Sequence, residues 1–242
     1  MINELINYRA TIFITDNRLL NSQDLNTLNP LMQEFELMPS TNNQVSFQIT
    51  PNGILPMEGL AVELRNNNGS FKIMFGPGRI DIVRNKIAET DSLEDINNFI
   101  EKVLRVIELL KQSYNNWIVI RLALGTNVCY DLDSRKLISA YKKITNQDSE
   151  NLVEWKLHKV IRKSMETGSQ VIVNQASTIS RSMIQVPFQP IPVDRVFLET
   201  DFNTMVGLQV GFTSEIISSF WQKTILDTLT LIDEYNTVLT SE

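Results

Sequence analysis

The chain reads as an α+β protein in which mainly antiparallel sheets pack against long amphipathic helices, and three observations predict that class. Short apolar runs at residues 60–65, 71–75 and 79–84 follow one another with only turn residues between them. Helical periodicity is confined to separate stretches, the clearest at residues 92–113 and from Thr213 or Ser214 onward. Strands in runs, with helices set apart from them, suit layers of antiparallel sheet and helix better than a doubly wound parallel sheet.

Taken in order, residues 8–15 and 45–50 are short and apolar enough to pair as strands, and residues 24–37 suit a shorter helix, in which Pro30 is tolerated only near the first turn. The runs 60–65 and 71–75 flank Asn66-Asn67-Asn68-Gly69-Ser70, whose Asn and Gly tolerate positive φ, which predicts a hairpin. Gly76-Pro77-Gly78 makes the next turn, before the strand at 79–84. Ser92 is a natural N-cap, with Glu94 and Asp95 in the first turn. Leu93, Ile96, Ile100, Val103, Ile107 and Leu110 then recur at three- and four-residue spacing, with Glu101, Lys102, Glu108 and Lys111 on the wet side. Residues 117–124 are apolar on both faces, which predicts a central, covered strand.

Residues 131–149 are polar and loop-like, and mark a boundary between an N-terminal part at 1–130 and a C-terminal part at 150–242, packed as one unit. A helix over 151–166 follows, with Gly168 as its αL terminator. Residues 171–186 and 193–203 add strand, broken by Pro187, Pro190 and Pro192. The last helix carries Ile217, Phe220, Trp221, Ile225, Leu229, Ile232 and Tyr235. Both parts end with strands followed by a helix, which hints at two similar halves without a residue-level repeat.

Composition excludes several classes of function. At 242 residues, 43% hydrophobic and 21% charged, the chain can bury a core without staples. Cys129 and His158 are each the sole residue of their type, so neither a disulfide framework nor a zinc cluster is expected, and no metal or cofactor. A net charge of −6 speaks against a protein coated in cations. Met1-Ile2-Asn3-Glu4-Leu5-Ile6 lacks a basic and then apolar leader pattern, and no segment reaches about 18 uninterrupted apolar residues. A cytoplasmic protein without a membrane partner is the expectation. Gly76-Pro77-Gly78-Arg79 lacks the spacing of a phosphate loop and reads as a turn. Asp131 and Asp133 open like a calcium loop but lack its later glycine and glutamate, so a turn rich in capping side chains is the reading. Cys129, among Val128, Tyr130 and Leu132, reads as a small buried hydrophobe, not as the nucleophile of a dyad with His158.

Three features carry candidate binding residues. Arg121 interrupts an apolar strand on a face shared with Trp117, Val119 and Ala123, so it needs a partner such as Asp81 or Glu199, or lines a pocket for an anion. Glu199 and Asp201 sit two apart in a strand and share one face with Phe197 and Asn203, a placement open to ligand or acid/base work. Between residues 135 and 163, eight cations meet three acids for a local balance of +5. Within that stretch Lys156, Lys159 and Lys163, joined by Arg162, form a stripe on the expected helix, open to an anion or an acidic partner.

The stretches Ile118-Val119-Ile120-Arg121-Leu122-Ala123-Leu124-Gly125-Thr126-Asn127 and Val196-Phe197-Leu198-Glu199-Thr200-Asp201-Phe202 correspond to two landmarks of a known pattern. They are an "RxGxRYxN"-like strand after a long helix, and an apolar strand with acidic residues before a last helix. In this element order the chain resembles a sporadically distributed family of uncharacterised bacterial proteins. The family's second arginine and tyrosine are replaced here, and its last-helix histidine is missing. The resemblance implies a shared fold and lends no activity. The reading that follows is a non-catalytic protein that binds another macromolecule, as a protein partner or a homo-oligomer. Nucleic acid is the less favoured partner, through the basic 156–163 stretch. The rival is a small-ligand receptor or enzyme with a cleft around Arg121, Glu199 and Asp201.

Overall fold

The structure is a computed structural model that describes residues 2–16, 20, 24–50, 53–114, 117–148, 152–165, 171–186, 188–205 and 211–241, with side chains for all but 2, 3, 41–50 and 53–61. Among the described residues nine strands, β1 (Ile2–Ile14), β2 (Met38–Thr50), β3 (Gly53–Arg65), β4 (Phe71–Gly76), β5 (Arg79–Asn85), β6 (Val119–Asp131), β7 (Trp155–Met165), β8 (Val171–Ile184) and β9 (Val193–Thr204), form one sheet. Its order is β2-β3-β4-β5-β1-β6-β9-β8-β7, and every pairing is antiparallel. The helices are α1 (Asp24–Thr27), α2 (Asn29–Glu34), α3 (Ile96–Ser113), α4 (Ser134–Thr145) and α5 (Ser214–Thr240). The α+β class and the antiparallel sheet stand as the sequence predicts.

Alternation along the strands sorts the two faces of the sheet. One cross-strand row runs Ile73, Ile82, Ala10, Leu124 and Phe202. All five are buried, and they face the helices. On that side Tyr8 of β1 stacks on Phe99 of α3 with ring centroids 5.4 Å apart. Leu31 of α2 and Ile217, Phe220 and Trp221 of α5 enter the same core. Toward the β7 end, α4 and α5 close a second apolar cluster over Val128, Tyr130, Val196 and Leu198. The next row, one residue over, runs Asp81, Thr11, Ala123, Asn203, Asn174 and Arg162. It belongs to the opposite, largely polar face. The helices line one face, so what lies on the other is free to meet solvent or ligand.

Capping fixes where the helices begin. Asp95, not Ser92, is the N-cap of α3, its carboxylate accepting from the Asn97 amide at 2.7 Å. Thr213 caps α5, accepting from the Ile216 amide at 3.3 Å. Residues 131–149 were expected as a loop, and they contain α4. Asp133, expected as part of a capping turn, accepts from the amides of both Arg135 and Lys136 at 3.0 Å and starts that helix. Asn146 ends it in the left-handed region at φ 58°. The stretch hides in the sequence because α4 buries only Leu137 and Ala140.

The helix expected over 151–166 is corrected to the strand β7, paired with β8 from Trp155–Arg181 to Met165–Val171. Its basic residues follow a period of two, so Lys156 and Arg162 face the polar side of the sheet while Lys159 and Lys163 face the helix side. The single cationic stripe therefore does not exist. Only the end residues Trp155 and Met165 are buried, so the strand carries no alternation of hydrophobicity that would mark it. Gly168, expected to end that helix, lies outside the described residues.

A register shift between Phe13 and Ile14 changes what surrounds Arg121. Phe13 pairs with Arg121, but Ile14 pairs with Val119, so Ile120 is the extra residue of a β-bulge. Beyond the bulge Val119 turns into the core, 4% exposed, while Arg121 keeps to the polar face. The expected shared face of Arg121 and Val119 is thus corrected by one inserted residue.

Candidate binding site on the open sheet face

The polar face holds a cavity of about 600 Å³ over the middle of the sheet, at the pairing of β1 with β6. Three adjacent strands each contribute an arginine to it: Arg79 from β5, Arg9 from β1 and Arg121 from β6. Arg79 Nη2 donates to Asp81 Oδ1 at 2.9 Å, and its Nε lies 2.8 Å from Oδ2 in an ion pair without hydrogen-bond geometry. Arg9 Nε donates to the same carboxylate at 3.0 Å, and Thr11 Oγ1 at 2.6 Å. The Asp81 side chain is 11% exposed. Burial alone would raise its carboxyl, but the hydrogen bonds from Arg9, Arg79 and Thr11 outweigh it and hold the group below the usual range.

Arg121 is held differently. Its Nε donates to the Thr204 carbonyl and its Nη2 to Asn203 Oδ1, both at 3.1 Å. Among the described residues no carboxylate lies within ion-pair distance of it. Neither expected acid, Asp81 or Glu199, is its partner, and it is half-exposed instead of buried. The guanidinium of Arg121 lies 4.8 Å from the centroid of the Phe13 ring, and that of Arg79 lies 5.6 Å from the same ring. Phe13 thus gathers two cations, and Asp81 holds two. Two of the three guanidinium groups share one carboxylate and the third has none, which leaves two positive charges at this end of the cavity.

Beside them the floor has almost no side chains. Arg9, Gly125, Asp201 and Ala176 form one cross-strand row, and Ala123 sits next to Gly125 on the same face. A Cβ at Gly125 would come within 3.3 Å of the Thr200 carbonyl, so the strands pass close there. Within that row Asp201 stands between Gly125 and Ala176, and it and Glu199 of β9 are both exposed and both line the cavity. The structure therefore brings Arg121, Glu199 and Asp201 to one cavity.

Asn203, 7% exposed, ties the two ends together. Its Oδ1 accepts from Arg121 and from Asn174 Nδ2 at 3.2 Å, and its Nδ2 donates to Asp201 Oδ2 at 3.1 Å. Arg162, on β7, donates to Asn174 Oδ1 at 3.2 Å. His158, at the margin, is hydrogen-bonded to Thr178 at 2.9 Å. Lys156, Lys159 and Lys163 do not line this cavity. Lys159 and Lys163 instead border a separate cleft between β7 and the helices, where Lys163 lies 4.0 Å from Asp227.

A separate small apolar cluster joins Ile6, Cys129 and Val186, with Phe188 and Phe197 against it. Burial pushes the Cys129 thiol up to about 11, so it stays protonated at neutral pH, as a structural cysteine does. Two strands, β9 and β8, separate it from His158, which lies on β7. Among the described residues no group of three or more His, Cys, Asp or Glu is placed to hold a metal ion. No helix of the described residues is long and apolar enough to cross a membrane.

Sequence reasoning found one of the three arginines. Arg9 sits between Tyr8 and Ala10 in an ordinary alternating strand, and Arg79 follows a turn. The usable signal was that three apolar strands each carry one arginine at an outward position, but strand adjacency was needed to bring them together. The chain matches no protein-family model, and comparison with curated proteins returns no relative.

Proposed function

We propose that the chain is a non-catalytic binding protein whose open sheet face takes a small ligand bearing a phosphate or carboxylate group. The observation that carries this reading is the set of three guanidinium groups from three neighbouring strands, with a carboxylate for only two of them, beside the small residues Ala123, Gly125 and Ala176. Guanidinium forks match anionic oxygens in pairs, and Arg121 has neutral partners only among the described residues, so an anion there meets an uncompensated charge. Open space over small residues gives the rest of the ligand room. The order of elements supports a further reading, that the chain consists of two similar halves. Residues 2–113 run strand, short helices, four strands, helix, and residues 119–240 run strand, helix, three strands, helix. On that reading the ligand lies at the seam, where the first strand of each half pairs with the other.

Thermal unfolding at constant ionic strength, with increasing inorganic phosphate or acetate, tests the proposal. A ligand that binds only the folded state raises Tm in a saturable way. The wild type should show that rise with at least one of the two anions, and Arg121→Ala should weaken the affinity by roughly tenfold or more. Arg121 is half-exposed, so its loss leaves the core intact. An equal rise in both proteins, or none in either, overturns the reading.

A further inference from the structure

The cavity is charged at both ends with opposite signs, and the geometry points to a dipolar ligand: an anionic group on Arg9, Arg79 and Arg121, and an ammonium group facing Glu199 and Asp201. This rests on the binding reading above and names the ligand class for the same site. Arg9 and Asp201 flank Gly125 in one row, two inter-strand spacings apart, or about 10 Å between Cα atoms. They do not pair across the gap. Arg9 is turned to Asp81, and Asp201 accepts from the neutral Asn203 amide. Among the described residues neither Glu199 nor Asp201 is in an ion pair, although two net positive charges stand across a floor of glycine and alanine. Two charge groups of opposite sign that are held apart over bare backbone leave the space between them for a molecule that carries both charges.

Asn203 keeps that separation. By bonding Arg121 through Oδ1 and Asp201 through Nδ2, it sets both ends from one buried side chain. A simple anion uses one end of the cavity. A phosphate or carboxylate with an amine a few bonds away uses both, and gains from each exposed carboxylate a modest attraction.

Matched probes separate the two ends. Isothermal titration at constant ionic strength and pH 7.5 compares ethyl phosphate with phosphoethanolamine, and butyrate with 4-aminobutyrate. Within each pair the anionic group is shared and only one probe carries the ammonium. The expected result is that an amine-bearing probe binds about tenfold tighter than its partner, and that this ratio falls toward one in Glu199→Gln/Asp201→Asn. Equal affinities within both pairs, with measurable binding, overturn the dipolar assignment and leave the anion site standing. A tenfold preference that persists in the double variant overturns it as well. No binding of any of the four probes removes the anion site and this inference together.

Discussion

Two regions of this sheet carry comparable numbers of cations and use them in different ways. At its centre, Arg9, Arg79 and Arg121 come from three adjacent strands, point to one face, and are held by Asp81, Asn203 and the Phe13 ring. At its edge, β7 carries Lys156, Lys159, Arg162 and Lys163 in eight residues, divided between two faces. The first arrangement concentrates charge over a cavity with fixed geometry. The second spreads it along a strand whose outer edge has no neighbour in the sheet order. Val160 and Ile161 are 50% and 38% exposed on that edge, and lysines beside them discourage the strand from pairing with another chain. The count of cations in a segment says little about anion binding. Register and partners decide it.

The largest effect expected is at Asp81, on which the central arrangement depends. Asp81→Asn removes the charge that both Arg9 and Arg79 bind, and should cost about 2 kcal/mol in urea unfolding at pH 7, after allowance for the half-exposed arginines. Because the folded carboxyl is held below its ordinary value, its stabilisation is fully present above about pH 4, the unfolded value. It is lost as pH falls through the lower folded value. The difference between wild type and variant should therefore shrink below pH 4. The same variant leaves three guanidinium groups with no carboxylate among them, so phosphate should bind several-fold tighter even as the fold weakens. A variant that is weaker in both respects would mean that Asp81 positions the arginines and does not merely dilute their charge.

Much of the fold was legible because burial on one side leaves a period in the sequence. The strands at 71–75, 79–84 and 193–203 lie within a residue or two of β4, β5 and β9, and helices occupy Ile96–Ser113 and Ser214–Thr240 where the spacing places them. The two exchanged elements are those with little burial to read. In α4 only Leu137 and Ala140 are buried, and in β7 only Trp155 and Met165. With so few apolar positions, the three- and four-residue spacing of Lys156, Lys159 and Lys163 imitated a helix, while the β-branched pair Val160-Ile161 was the better sign of a strand. At the site, Glu199 and Asp201 were legible as one face because β9 alternates without a bulge there. The surroundings of Arg121 were not, since the bulge at Ile120 appears only when β6 is laid against β1.

A middle-sized effect belongs to Asn203, which joins the two ends of the cavity. Asn203→Ala leaves Arg121 without its side-chain acceptor and Asp201 without its donor, and should cost about 1 kcal/mol by urea titration. If the two ends are coupled through this side chain, the preference for an amine-bearing probe should fall in Asn203→Ala along with the affinity for the anion. A fall in stability with both affinities unchanged would reduce Asn203 to packing, and the central region would then differ from the edge only in where its charges sit.

The smallest effect is expected at the edge itself. Lys156→Glu, Lys159→Glu and Lys163→Glu together reverse three exposed charges. Of these, Lys163 reaches a carboxylate only at 4.0 Å, a distance at which an exposed pair contributes little. At about 0.15 M salt the screening length is about 8 Å, so the reversal is felt weakly at the centre of the sheet. Unfolding free energy should change by less than about 1 kcal/mol, and phosphate affinity by less than about threefold. If the added acids pair with the basic edge of unmodified chains, the triple variant should associate with the wild type, which mixing the two proteins in sedimentation velocity would reveal. A short DNA duplex provides the decisive contrast. If the wild type binds it saturably at that salt and the reversed edge does not, then β7 is an anion-binding surface in its own right, and exposed lysines divided between two faces of a strand suffice for what three gathered arginines do at the centre.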